Sequence, residues 1–171
     1  AASDAGRYAW REAAANLEAA LELAAKLPES LRVQTRIELL ERLADIHATL
    51  GDKLQAIKTW ERLVELAEQS GQREAEARAL LGVSYELRWI DVPRALEFCE
   101  RAARIGRDLG NELLLLDAEA KHSFLLISLP GWRRDWADAL ERSVERLRGA
   151  GDALCFVRNA TFCANAQVWA G

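Results

Sequence analysis

The chain has 171 residues, half of them apolar and 29 % charged, with a formal net charge of −4. That length gives one ordinary domain or a short array of small repeats, and the balance of apolar and charged residues excludes a disordered chain. The acidic balance argues against a direct nucleic-acid binder, which is normally basic.

In chain order, a first amphipathic helix is expected over residues 6–27. It is opened by Trp10-Arg-Glu-Ala13 and continued by Leu17 and Ala20. Residues 38–50 carry Leu39, Leu40, Leu43, Ile46 and Leu50 at helical spacing. Gly51-Asp52 then stops one helix and starts the next, and Asp52 with Gln55 has capping-box spacing. Lys53-Leu-Gln-Ala56 opens a helix that runs on through Trp60 and Leu63. Gly71-Gln72 is the next stop, before a helix over 75–87 with Ala77, Leu80, Leu81, Val83 and Leu87. Val92-Pro-Arg-Ala95 opens another, with Cys99 and Ala102 following, and Gly110-Asn111 ends it. Residues 113–127 form an apolar helix. Trp136-Ala-Asp-Ala139 starts a helix continued by Ser143 and Leu147. Gly151-Asp152 introduces a last helix over 153–168. No period-2 strand of convincing length occurs.

The signals recur in phase. Gly71, Gly110 and Gly151 lie 39 and 41 residues apart, and Ala13, Ala56, Ala95 and Ala139 are spaced by 43, 39 and 44. The chain therefore reads as all-α, about eight helices in hairpins with a repeat of roughly 40 residues.

These residues resemble the tetratricopeptide (TPR) repeat. Leu81-Gly82-x-x-Tyr85 followed by Ala95, Cys99 and Ala102 carries the likeness best. Leu43-Ala44-x-x-His47 with Ala56, Trp60 and Leu63 carries it next, then Ala13, Leu17 and Ala20, and Phe124 with Ala139. The resemblance implies antiparallel hairpins stacked as a right-handed solenoid with a concave inner face. Its parts are a second-type half repeat at 1–29, full repeats at 30–71, 72–110 and 111–151, and a first-type half repeat at 152–171. Both ends then lack half a hairpin, and the apolar Val168-Trp169-Ala170 is no polar cap. The expectation is a fragment of a longer solenoid, with self-association through its uncapped ends as the alternative. The Ala/Leu/Arg-rich texture and long period look like the arrays of large bacterial signalling ATPases and LuxR-type transcription activators.

Catalytic chemistry has little to work with. His47 and His122 are the only histidines, and both fall at repeat positions that serve packing or groove lining. Cys163 and His122 can approach only across neighbouring first-type helices. Glu119-x-x-His122 has di-metal spacing in a single copy, which is too few ligands. No phosphate-binding glycine loop occurs. No catalytic residue, cofactor or metal is expected. Three cysteines, Cys99, Cys155 and Cys163, cannot all pair, so reduced thiols in the cytoplasm are the simpler reading. No membrane span is expected, because Asp117, Glu119, Lys121 and His122 interrupt the most apolar run. Arg101, Arg104 and Arg107, with Arg133, Arg134, Arg142, Arg146 and Arg148, read as a solvated convex face. Trp10, Trp60 and Trp136 occupy packing positions, whereas Trp89, Trp132 and Trp169 are placed to contact neighbours or partners.

The TPR register assigns a groove. It comprises Glu38, Glu41 and Asp45, then Glu76, Ala79, Val83 and Glu86, then Ala118, His122 and Leu125, and lastly Asn159 and Cys163. Acidic first and apolar later, it suits a peptide or helix carrying basic residues beside an apolar anchor. The implied function is a non-catalytic protein-interaction scaffold. The alternative is an effector-sensing segment of a signalling ATPase or transcription activator whose output domain lies elsewhere.

Overall fold

Three glycines take the left-handed backbone that stops a helix cleanly: Gly51 (φ 77°), Gly71 (φ 68°) and Gly110 (φ 64°). At each, the next amide reaches back to a carbonyl in the last turn: Asp52 to His47, Gln72 to Ala67 and Asn111 to Gly106, all at 2.9 Å. The following helices then start on side-chain caps. Asp52 accepts from the Gln55 amide, Asn111 from Leu114 and Asp152 from Cys155. Asp91 does the same for Arg94, just before Pro93 in the first helical turn. Each such cap is worth about 1 kcal/mol.

The computed structural model describes residues 4–130, 133–150 and 152–169. It contains α1 (Asp4–Ala24), α2 (Glu29–Leu50), α3 (Lys53–Gln69) and α4 (Arg73–Leu87). These are followed by α5 (Val92–Asp108), α6 (Glu112–Ile127), α7 (Arg134–Gly149) and α8 (Ala153–Trp169). Among the described residues there is no strand. The expected Gly151 stop lies outside them. Two boundaries move for one reason. Pro28 disfavours helix at the residue before it, so α1 ends short of Leu27. The same proline precedes a free first turn, so α2 starts at Glu29, well ahead of the apolar run that announced it.

The chain divides into two compact units, Ala1–Glu86 and Leu87–Gly171. In the first, α1 packs on α2 and α2 on α3. Leu21, Ile37, Leu40, Leu43, Leu63, Ala67 and Ala79 share one core. Gly82 of α4 lies against the Trp60 ring of α3 so closely that a Cβ there would come within 2.5 Å of the indole. In the second unit α6 packs against α5, α7 and α8, and α7 also against α8. Phe124 of α6 stacks on Phe162 of α8 with ring centroids 4.4 Å apart. Gly106 lets α5 approach α6, since a Cβ would stand 2.9 Å from the Leu115 backbone nitrogen.

Candidate functional site

The twelve groove positions fall into distinct environments. On α2, Glu38 and Asp45 are exposed and Glu41 is half-buried. Glu38 accepts from Gln34, and Arg78 of α4 bridges Glu41 and Glu74, each at 3.0 Å. On α4, Glu76, Ala79, Val83 and Glu86 are all buried, and Glu76 holds Arg73 at 3.1 Å. On α6, Ala118 and Leu125 are buried, while His122 is half-buried with Nε2 3.4 Å from Glu100 of α5. On α8, Asn159 is fully buried and Cys163 half-buried. Helices α4 and α6 are thus enclosed on most of their circumference, a pattern of all-round burial rather than of one open face.

Two of these residues, Ala118 and His122, do share a concavity. A cleft of about 530 Å³ opens between α5, α6 and α7. Its floor and walls include Cys99, Ala103, Ala118 and Ala139, small residues that leave the space unfilled. Arg104 and Arg107 project from α5, and Arg142 and Arg146 from α7. Glu100, Glu119, Ser123 and Ser143 complete the polar lining. Arg146 is bound to Glu112 at 2.8 Å. Arg104, Arg107 and Arg142 have no ion pair or hydrogen bond among the described residues. Leu125, Asn159 and Cys163 do not line this cleft.

The opposite side of α6 carries a buried charge cluster. Asp117 accepts from Lys121, four residues on, from Arg158 at 2.9 Å and from the Asn159 amide at 2.7 Å. The Asn159 amide nitrogen also reaches the Cys155 carbonyl at 2.9 Å, while its Oδ1 has no partner. Burial pushes the Asp117 carboxyl up, but the charges of Lys121 and Arg158 overcome this and leave it below the ordinary carboxylate value. Burial also pushes Lys121 down, and Arg158 adds to that against the pull of Asp117. The Asp117 carboxylate is fixed by three donors.

The cysteines are poorly disposed to nucleophilic chemistry. Burial, then Asp117, raises the Cys155 thiol, and burial, then Glu141, raises that of Cys163. Neither forms the thiolate readily. His122 is turned to Glu100, not to Cys163. No described group of three or more His, Cys, Asp or Glu side chains is placed to hold a metal. No described helix is long and apolar enough to cross a membrane.

Among the tryptophans, Trp60 packs as expected, and Trp136 is half-buried with the Arg133 guanidinium 5.4 Å from its ring. Trp10 departs from expectation: it is 42 % exposed, in the N-terminal turns of α1 that precede its first buried residue, Ala14. Trp89 is exposed beside Arg88. Trp132 and the side chain of Trp169 lie outside the described residues.

Arg104, Arg107, Arg142 and Arg146 are exposed, as a solvated face requires, and they also flank one cleft. A signal for this was present. Arg104 to Arg142 is 38 residues and Arg107 to Arg146 is 39, close to the repeat itself. A similar spacing on α5 and α7 brings like side chains to the same cleft. Nothing local announces Ser123 or Ser143, which belong to the cleft only through packing. In comparisons with known proteins, no family model matches the chain and no curated protein is significantly similar to it.

Proposed function

We propose that this chain is a non-catalytic protein-interaction module of tetratricopeptide type, its hairpins forming a right-handed superhelix that binds a segment of a partner. One observation carries the reading: Glu38, Glu41 and Asp45 stand at i, i+3 and i+7 along the accessible side of α2. A row of carboxylates on a rigid helix favours a peptide or helix bearing basic residues. Glu41 is half-buried and bound by Arg78, whereas Glu38 and Asp45 are exposed, so these two are the contacts to test. Labelled basic amphipathic and acidic amphipathic peptides titrated into the chain discriminate the idea. The basic peptide binds more tightly, and Glu38→Lys with Asp45→Lys reverses the preference. Stronger binding of the acidic peptide by the unaltered chain refutes it.

The cleft between α5, α6 and α7 favours a second reading, an effector-sensing segment of a signalling ATPase or transcription activator. Its volume falls in the range of small-ligand sites. A reproducible rise in melting temperature with one small molecule and no protein partner supports it.

A further inference from the structure

We propose that the cleft between α5, α6 and α7 is a binding site for a small organic phosphate. This gives a ligand class to the effector-sensing reading and is independent of the partner proposed for α2.

Charge is the first argument. Three guanidiniums, those of Arg104, Arg107 and Arg142, lack any protein partner among the described residues while lining one concavity. Arg146, tied to Glu112, stands with them. Two carboxylates oppose them in the lining, and one of these, Glu100, lies 3.4 Å from His122. An uncompensated cationic excess across a cleft is answered by water, counterions or an anion. The concave wall gathers these exposed charges around one space, which raises the local attraction for an anion.

Geometry is the second argument. The arginines come in pairs on two walls, Arg104 with Arg107 at i, i+3 and Arg142 with Arg146 at i, i+4. Guanidinium forks approaching from two sides match the several oxygens of a phosphate better than a single carboxylate.

The floor supplies the third. Ser123 and Ser143 are buried, line the cleft, and have no hydrogen bond among the described residues. A helical serine or threonine ordinarily bonds back to the preceding turn, as Ser84 and Thr59 do here. Two hydroxyls left without that bond, beside alanines that keep the space open, are available to a ligand's oxygens. Glu119 can accept from a hydroxyl or ammonium on the organic part. The cleft volume of about 530 Å³ suits a small molecule rather than a folded surface.

Pyrophosphate is a suitable probe, titrated calorimetrically into the full chain at low ionic strength, with citrate and an acidic peptide as separate arms. The expected result is saturable one-site binding of pyrophosphate. Arg107→Ala and Arg142→Ala each weaken it by about tenfold or more, the usual loss for a charged hydrogen bond. Ser143→Val, which keeps the volume, weakens it less but measurably. Arg148→Ala, outside the cleft and paired with Glu145, leaves it unchanged. Circular dichroism of each variant confirms that these substitutions leave the helices intact. Absence of saturable binding at millimolar pyrophosphate overturns the proposal. So does an equal loss in Arg148→Ala, which would mark diffuse surface attraction. Citrate binding as tightly as pyrophosphate overturns the phosphate assignment, and tight binding of the acidic peptide alone overturns it in favour of a protein ligand. None of these outcomes bears on the basic-peptide test at α2.

Discussion

Asp117 shows how little a single residue's neighbourhood can be read from its sequence context. In the apolar run 113–127 it reads as an interruption, one of the charges that forbid a membrane span. In the fold it is buried at the α6–α8 contact and holds three donors. The Lys121 partnership at i+4 is legible from helix geometry. Arg158 and Asn159 are not, because they arrive from 41 and 42 residues downstream. Removing one member of such a cluster leaves the other charge buried without compensation. Asp117→Ala is therefore expected to cost about 3–5 kcal/mol in denaturant unfolding, while Asp117→Leu combined with Lys121→Met costs far less. The sign of the acid response follows from the depressed carboxyl. The folded value lies below the unfolded value of about 3.9, so the stabilisation is fully present above that pH. It is lost as pH falls through the folded value. Asp117→Asn should flatten that part of the stability curve relative to the unaltered chain. An unchanged acid limb would mean that Asp117 does not contribute through its charge.

At the scale of the element, sequence and structure agree where chemistry is local. The glycine stops and the Asp or Asn starts need only a few neighbouring residues to act, and three of the expected glycines carry the left-handed backbone. Asn111→Ala should therefore lower stability by about 1 kcal/mol. Helix-to-helix fit is less legible, although the Leu-Gly-x-x-Tyr pattern marks its place. Gly82 is there because Trp60 occupies the space of a side chain. Gly82→Ala gains about 1 kcal/mol of helix propensity but forces the indole aside, an overpacking that costs about 1–3 kcal/mol. The net expectation is a loss, measured by urea unfolding and largely recovered in Gly82→Ala with Trp60→Leu. Failure of that second change to recover stability would place the strain elsewhere. Gly106→Ala should be worse, since the obstructing atoms are Leu115 backbone, which cannot rotate away. The candidate groove is the element-scale feature that the repeat register describes least fully. A register states which positions align between hairpins. It does not state how far neighbouring helices close over them, and Ala79, Val83, Leu125 and Asn159 are all enclosed.

For the whole molecule, the periodic signal and the packing divide the chain differently. The glycine turn signals in the sequence fall at residues 71, 110 and 151, whereas compactness separates the chain after Glu86, at the end of α4. The reason is physical. A repeat signal is set by residues within one hairpin, but a core is set by how many helices share buried side chains, and that depends on contacts many residues apart. Leu43 and Leu140 are fully buried, one in each unit. Leu43→Ala and Leu140→Ala should each cost about 2–5 kcal/mol, the range for a large-to-small change in a packed site. If each unit's core governs its own opening, Leu43→Ala accelerates amide exchange chiefly in α1–α3, and Leu140→Ala chiefly in α5–α8. Mass-spectrometric exchange on the two variants reads this directly. Uniform acceleration along the chain from either substitution would show that all eight helices open as one cooperative block. A ligand in the α5–α7 cleft would then stabilise α2 as much as its own walls. Under separate opening, pyrophosphate should protect α5, α6 and α7 and leave exchange in α2 unchanged, so the same measurement also locates where the anion acts.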